Sequence, residues 1–363
     1  MRRTARTLGA TAAVAGGLAL GFLAERRLLH PRLEVPALPT GDEPLGSLSG
    51  ELTTVAGPDG TDIVVETYGP ARPRLGDPQL LLSHGWICTG RMWHHQVAGL
   101  ADRYRIITYD QPGHGRTSAP DSGEYDLDLL GDTLRAVVQA VAPDGPLVLG
   151  GHSLGGMAVL NAVEHHRDLL DDRVVGAVLM STTSRARPER FTFEFGVHAV
   201  SQLEDAVKRL VPRLRGSRLS GATGRLYAST SDLSNLVVRA MAVGPDTDPR
   251  IVGFVEQLRV ASDPDMVLGL AEAVLGVDVD AGLARLRAPV SLLVGTHDRL
   301  TPVSLAQRMA EVSGGELIEL PGIGHMAPLE APDEINRVLR QHLTGEVAAG
   351  AGGGSAGSRR QAG

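Results

Sequence analysis

From residue 51 onward the chain alternates short apolar runs with longer segments that carry apolar residues at helical spacing, and this restricts the fold more than any other feature. The strand-length runs are "LTTVA" (52–56), "TDIVVETYG" (61–69), "QLLLSHG" (79–85), "YRIITYD" (104–110), "PLVLGG" (146–151), "VVGAVLMST" (174–182), "VSLLVGTHD" (290–298) and "GELIELPG" (315–322). The first two flank Gly57-Pro-Asp-Gly60, a turn that predicts a hairpin. Asp126–Val141 reads as a helix, with Leu127, Leu130, Leu134, Val137, Val138 and Val141 on one face and Asp126 as its cap. Leu154–His165, Pro302–Val312 and a final segment carrying Ile335, Val338, Leu339, His342 and Leu343 read likewise. Strands alternating with helices call for an α/β fold: a mostly parallel sheet covered by helices on both faces.

The alternation pauses over 185–288, a helical and Arg-rich stretch with apolar faces at 200–214 and near 233–243, 250–261 and 264–275. Inserted between two strands, it is expected to sit as a helical cap over the strands' C-terminal ends, where open α/β sheets bind ligands. The core is then 50–184 together with 289–345. Arg185, Arg187, Arg190, Arg209, Arg213 and Arg215 form either a solvated face or a contact for an acidic group on a substrate or lipid.

"GGHSLGG" (150–156) lies between a strand and a helix. Alone it is either a Gly-rich turn or the seat of a nucleophile. In this position Gly151-His-Ser153-Leu-Gly155 has the context that a G-x-S-x-G elbow requires, a tight strand-to-helix turn exposing Ser153 Oγ, with Gly151 and Gly155 giving strand and helix room to approach. A serine hydroxyl needs a positioned base. His325, in "PGIGHMAPLE" after the last strand, is the candidate base, and Asp298, ending the strand before it, is the candidate acid that orients it. His297 sits beside Asp298 but is expected to point elsewhere. The oxyanion donors are expected to be the backbone N–H groups of Leu154 and of Trp86, which follows His84-Gly85.

His84-Gly85-Trp86, "DQPGHGRTS" (Asp110–Ser118), Gly151–Gly155, Gly295–Pro302 with Asp298, and Gly324-His325 together resemble the α/β-hydrolase superfamily over about 50–345. The resemblance implies an eight-stranded sheet whose second strand is antiparallel, a cap between strands six and seven, and a Ser153–Asp298–His325 triad. It implies no metal and no organic cofactor. Members with an aspartate nucleophile, the dehalogenases and epoxide hydrolases, are disfavoured by Ser153. "HGWICTGRMW" is similar to the corresponding loop of cofactor-free haloperoxidases and perhydrolases, although "GHSLGGMA" departs from their usual sequence. The leading expectation is a serine hydrolase of esters with an apolar part. Haloperoxidase, perhydrolase or C–C-bond chemistry on the same triad, and a non-enzymatic ligand sensor, stand as alternatives. Cys88, near the oxyanion loop, reads as a packed residue.

Charge sets further limits. The net charge of −7 is uneven: residues 1–32 hold six Arg against Glu25, leaving −12 for the remainder. An acidic body excludes a nucleic-acid partner, which requires clustered positive charge. With one cysteine there is no intrachain disulfide and no cysteine-based metal site. Leu8–Ala24 is an uncharged run flanked by arginines, at the lower limit for a membrane span. It reads as a membrane anchor or an export signal, with a cytoplasmic chain as the alternative; arginines on both sides give no orientation. Pro31–Pro44 reads as a Pro-rich linker within 1–49, and 346–363 as a low-complexity, disordered tail.

Overall fold

The computed structural model describes residues 44–71, 74, 76–186, 241–260, 262, 264–347 and 360–361. Its strands are β1 Glu51–Ala56, β2 Asp62–Tyr68, β3 Gln79–Ser83, β4 Ile106–Tyr109, β5 Leu147–His152, β6 Val174–Met180, β7 Val290–Gly295 and β8 Glu316–Leu320, with a two-residue β9, Arg360–Gln361. The main helices are α1 His94–Leu100, α2 Leu127–Val141, α3 Leu154–His165, α4 Pro249–Val260, α5 Pro264–Leu275, α6 Asp280–Arg285, α7 Val303–Ser313 and α8 Pro332–Thr344.

The strands form one sheet in the order β1-β2-β4-β3-β5-β6-β7-β8-β9. β2 is antiparallel to β1 and β4, and the other pairs are parallel. The antiparallel second strand and the strand count to β8 match the expectation. β9 pairs with Ile318 and Glu319 of β8, where the sequence suggests only disordered tail; 348–359 lie outside the described residues. α1 has no sequence expectation behind it. Its buried set, His94, Gln96, Val97 and Leu100, is partly polar and masks the periodicity.

Side-chain alternation along the parallel strands feeds two cores, one on each face of the sheet. Leu81, Leu147, Leu149, Ala177 and Leu179 join α2, α3 and α7 on one face. Leu80, Leu82, Val148, Val178 and Met180 join α1 and α8 on the other. Each fully buried Leu or Val contributes about 1.5–3 kcal/mol relative to exposure. The interior strands are therefore apolar at nearly every position, while edge strand β1 buries only Val55.

The insertion falls between β6 and β7, as expected, and its described part is helical. α4 and α5 lie within one residue of the segments read from periodicity. Their apolar residues are already used. Val252, Phe254, Val255 and Leu258 pack in one core, and Met266, Leu270 and Val274 in the other. α6 lies so close to α3 that a Cβ on Gly282 would come 2.0 Å from the Leu160 carbonyl oxygen. Arg185, one of the six cap arginines, pairs with Asp278, and Arg308 of α7 pairs with Asp280. Arg308 thus fastens the insertion to the core, while Arg185 pairs within the insertion rather than standing free. The other five arginines, the 200–214 face and most of 233–243 lie outside the described residues, as does the apolar run 8–24. Among the described residues, no helix is long and apolar enough to cross a membrane.

α2 begins as its sequence predicts: the Asp126 side chain accepts the Leu129 N–H at 2.7 Å. Asp126→Ala is expected to lower stability by about 1 kcal/mol, read as a fall in the urea unfolding midpoint at unchanged slope.

Candidate active site

The C-terminal ends of β3, β5, β6, β7 and β8 converge on one edge of the sheet, and every candidate residue lies there. Ser153 follows β5 directly. Its backbone sits at φ 52°, ψ −119°, a region costly for any side chain. What holds it there is close approach of backbone to backbone. A Cβ on Gly155 would lie 2.1 Å from the Ser83 carbonyl oxygen, and one on Gly151 would lie 2.6 Å from Gly156 Cα. The Ser153 N–H bonds Met180 O at 3.0 Å, while its carbonyl accepts the Thr182 hydroxyl at 2.6 Å. The turn is therefore pinned to β6. Ser153 itself is half-buried at the start of α3.

Asp298 and His325 are brought together across 27 residues of sequence. His325 Nδ1 lies 2.9 Å and 3.1 Å from the two carboxylate oxygens of Asp298. Asp298 also accepts the Leu300 and Thr301 N–H groups at 2.9 and 2.8 Å and the Thr301 hydroxyl at 2.7 Å. It is almost fully buried, and burial alone would raise its pKa. The charge and hydrogen bond of His325 together with the Thr301 donors outweigh burial and hold it below the ordinary carboxylate value. With the imidazole in its neutral form, Nδ1–H donating to an ionised Asp298 leaves the lone pair on Nε2, the tautomer a base requires. His297 is exposed beside them.

His152 joins the two halves. Its Nε2–H donates to the His325 carbonyl at 2.8 Å, so the residue before Ser153 is bonded to the loop that carries His325. Burial, reinforced by the neighbouring His325, lowers its pKa to about 3, and the ring stays neutral. Gly85 makes room for it, since a Cβ there would lie 2.6 Å from His152 Nδ1.

The loop after β3 turns tightly: Cys88 N–H bonds Gly85 O at 3.1 Å, with Trp86 and Ile87 at the corner. Ile87 has φ 56°, an outlier for a β-branched residue. His84 fixes the start of the turn. Its Nδ1–H donates to Gly85 O at 2.8 Å and its Nε2 accepts the Gln111 N–H at 2.9 Å. Asp110 of the "DQPGHGRTS" segment accepts Gly90 N–H at 2.8 Å and Arg116 N–H and Nε at 3.0 and 3.1 Å. Leu154 is the first residue of α3, so its N–H has no intrahelical carbonyl. Cys88 is buried, and burial pushes its thiol up to about 12, which keeps it protonated.

Ile87, Ser153 and Ser181 (φ 45°) are the non-glycine residues with positive φ among those described. They follow β3, β5 and β6, three adjacent strands. Backbone strain is thus gathered at one edge. Ile87 and Ser181 escape sequence reading because neither residue type advertises a left-handed conformation. Thr182 and Thr301 escape it because their bonds form only in the folded chain. Among the described residues no cluster of His, Cys, Asp and Glu could hold a metal ion.

The Alpha/beta hydrolase family model matches residues 80–338. The chain is 25% identical to the bifunctional esterase/perhydrolase of Acinetobacter calcoaceticus, covering 77% of this chain and 95% of that protein. It is 29% identical to the pimeloyl-[acyl-carrier protein] methyl ester esterase of Methylococcus capsulatus over 66% of this chain and 83% of that one. A solved thermophilic esterase from Thermogutta terrifontis superposes with a TM-score of 0.62 at 21% identity, covering 82% of this chain and 99% of that chain, which is a likeness of fold.

The lowered pKa of Asp298 carries a stability consequence. Its folded form binds the proton more weakly than the unfolded chain, so its stabilisation is complete above the ordinary value of 3.8 and fades as pH falls through the folded pKa. Asp298→Asn is expected to be less stable than wild type near neutrality, with the gap narrowing below that value. Urea midpoints at stepped pH check this; a gap that stays constant into acid contradicts it.

Proposed function

The chain belongs to the alpha/beta hydrolase family, and on that premise we propose that it is a serine hydrolase of carboxylic esters with an apolar part, working through an acyl-enzyme. Its curated relatives include esterases, which supports ester hydrolysis in general. The observation that carries the finer reading is the chain of contacts Asp298–His325–His152 ending beside the strained Ser153.

In this reading His325 Nε2 takes the Ser153 proton as Oγ attacks the ester carbonyl. The carbonyl oxygen, now negative, accepts from the Trp86 and Leu154 N–H groups. The C–O bond to the alcohol breaks, and the alcohol leaves with the proton from His325. Water, deprotonated by His325, then attacks the acyl-enzyme; the acid departs and the proton returns to Ser153. Asp298 stays ionised throughout and stabilises the imidazolium. Hydrogen peroxide in place of water would give a peracid, a side activity favoured by the His84-Gly85-Trp86 loop and by the perhydrolase relative. The apolar preference rests on the apolar faces in the sequence of the insertion between β6 and β7, of which the described residues serve the cores.

A fluorophosphonate probe is expected to label the wild type covalently and to leave Ser153→Ala unlabelled. An unlabelled wild type would sink the catalytic reading, and labelling that persists in the variant would sink Ser153 as nucleophile. A p-nitrophenyl ester series is expected to show kcat/KM rising with acyl length; a flat or falling series removes the apolar preference. Leu8–Ala24 is read as an anchor or export signal: the full chain is expected in the membrane or exported fraction, and a chain lacking residues 1–28 in the cytosolic one. Equal distribution of both would dismiss that role.

A further inference from the structure

We infer that Glu330 is a positioning residue for His325, and that through it the return segment of the insertion, Ala242–Thr247, is part of the machinery that holds the base. This rests on His325 being that base. Glu330 ends the short helix Ala327–Glu330 that follows His325. Its Oε1 accepts the Met326 N–H at 3.0 Å, and its Oε2 accepts the Gly324 N–H at 3.2 Å. One carboxylate therefore grips the backbone on both sides of His325. The same Oε2 accepts the Gly244 N–H at 2.7 Å and the Thr247 hydroxyl at 2.5 Å. Four donors from two separate segments meet on the two oxygens of one side chain.

A carboxylate serving only the short helix would need the Met326 N–H and nothing more. The Gly324 bond ties the His325 loop to its own helix, the Gly244 and Thr247 bonds join that loop to the insertion, and further contacts repeat that join. The His325 and Met326 N–H groups both donate to Ala242 O, at 3.0 and 3.1 Å. A Cβ on Gly324 would lie 2.3 Å from the Val243 carbonyl carbon, and one on Gly244 would lie 2.1 Å from Gly322 O. With His152 bonded to its carbonyl, His325 is held by its N–H, by its C=O and by both flanking peptide groups. Its ring thus meets Asp298 from a backbone held on every side. Misplacing a catalytic group by about 1 Å costs on the order of 10²-fold in rate, so a support of this kind acts on turnover rather than on substrate binding.

The test uses the full chain with Glu330→Ala, Glu330→Gln and Thr247→Val. Three quantities are read: kcat and KM for p-nitrophenyl butyrate, and the low-field proton resonance of His325 Nδ1–H, identified by its loss in Asp298→Asn. Glu330→Ala is expected to lower kcat by about 10²-fold with KM unchanged and to move the resonance upfield. Glu330→Gln and Thr247→Val, which each keep part of the donor set satisfied, are expected to show smaller changes in the same direction. A folded Glu330→Ala with wild-type kcat and an unmoved resonance overturns the inference, as does a loss carried entirely by KM. Should Glu330→Ala fail to fold, an unmoved resonance in both milder variants overturns it. If the wild type neither turns over ester nor reacts with fluorophosphonate, the hydrolase reading fails, while the resonance still decides the role of Glu330.

Discussion

The constraint on which the site depends is the approach of α3 to β3 at Gly155. There is no room for a methyl group between that residue and the Ser83 carbonyl. This contact forces the chain to leave β5 and enter α3 in a single residue, and that residue, Ser153, takes a backbone conformation it would not adopt alone. The cost of that conformation, about 1–3 kcal/mol for a residue of this kind, is offset by two hydrophobic cores and a parallel sheet that leave the chain no other path. Similar strain at Ile87 and Ser181, after the strands flanking β5, marks the same edge of the sheet.

Around that turn the structure treats its polar groups as a connected system. The buried histidines are kept neutral by desolvation: His84 donates to one carbonyl and accepts one N–H, and His152 donates to the carbonyl of His325. The buried carboxylate Asp298 is kept ionised by its donors, with burial opposing them. Charge is therefore placed where hydrogen bonds can hold it and withheld from the rings that only build the frame. His325 alone among these histidines faces a carboxylate with its ring.

Much of this was legible in the chain. The eight strands and α2, α3, α4, α5, α7 and α8 follow from apolar spacing, because interior strands buried on both faces and one-sided helices leave distinct periods. Ser153, Asp298 and His325 stand out because each follows a strand in the order the fold requires, and the structure brings Asp298 and His325 into contact. Glu330 did not stand out. Its partners are backbone N–H groups and a hydroxyl, which leave no pattern, and two of them lie more than eighty residues away. The apolar faces of α4 and α5 stand out in a segment read as a cap, and in the structure those residues fill the cores. Periodicity reports that a face is buried; it does not report against what.

The sequence by itself determined the alternation of strands and helices, the antiparallel second strand's hairpin with β1, the place of the insertion, and the glycines without which the Ser153 turn cannot close. These are local or periodic properties, carried by residue type and spacing. Only the tertiary structure decided that His152 bonds the His325 loop, that Thr301 and His325 hold Asp298 ionised, and that Glu330 joins that loop to the insertion. Such contacts link residues distant in sequence through backbone groups that every residue possesses, so they exist only once the sheet has set the strand ends side by side.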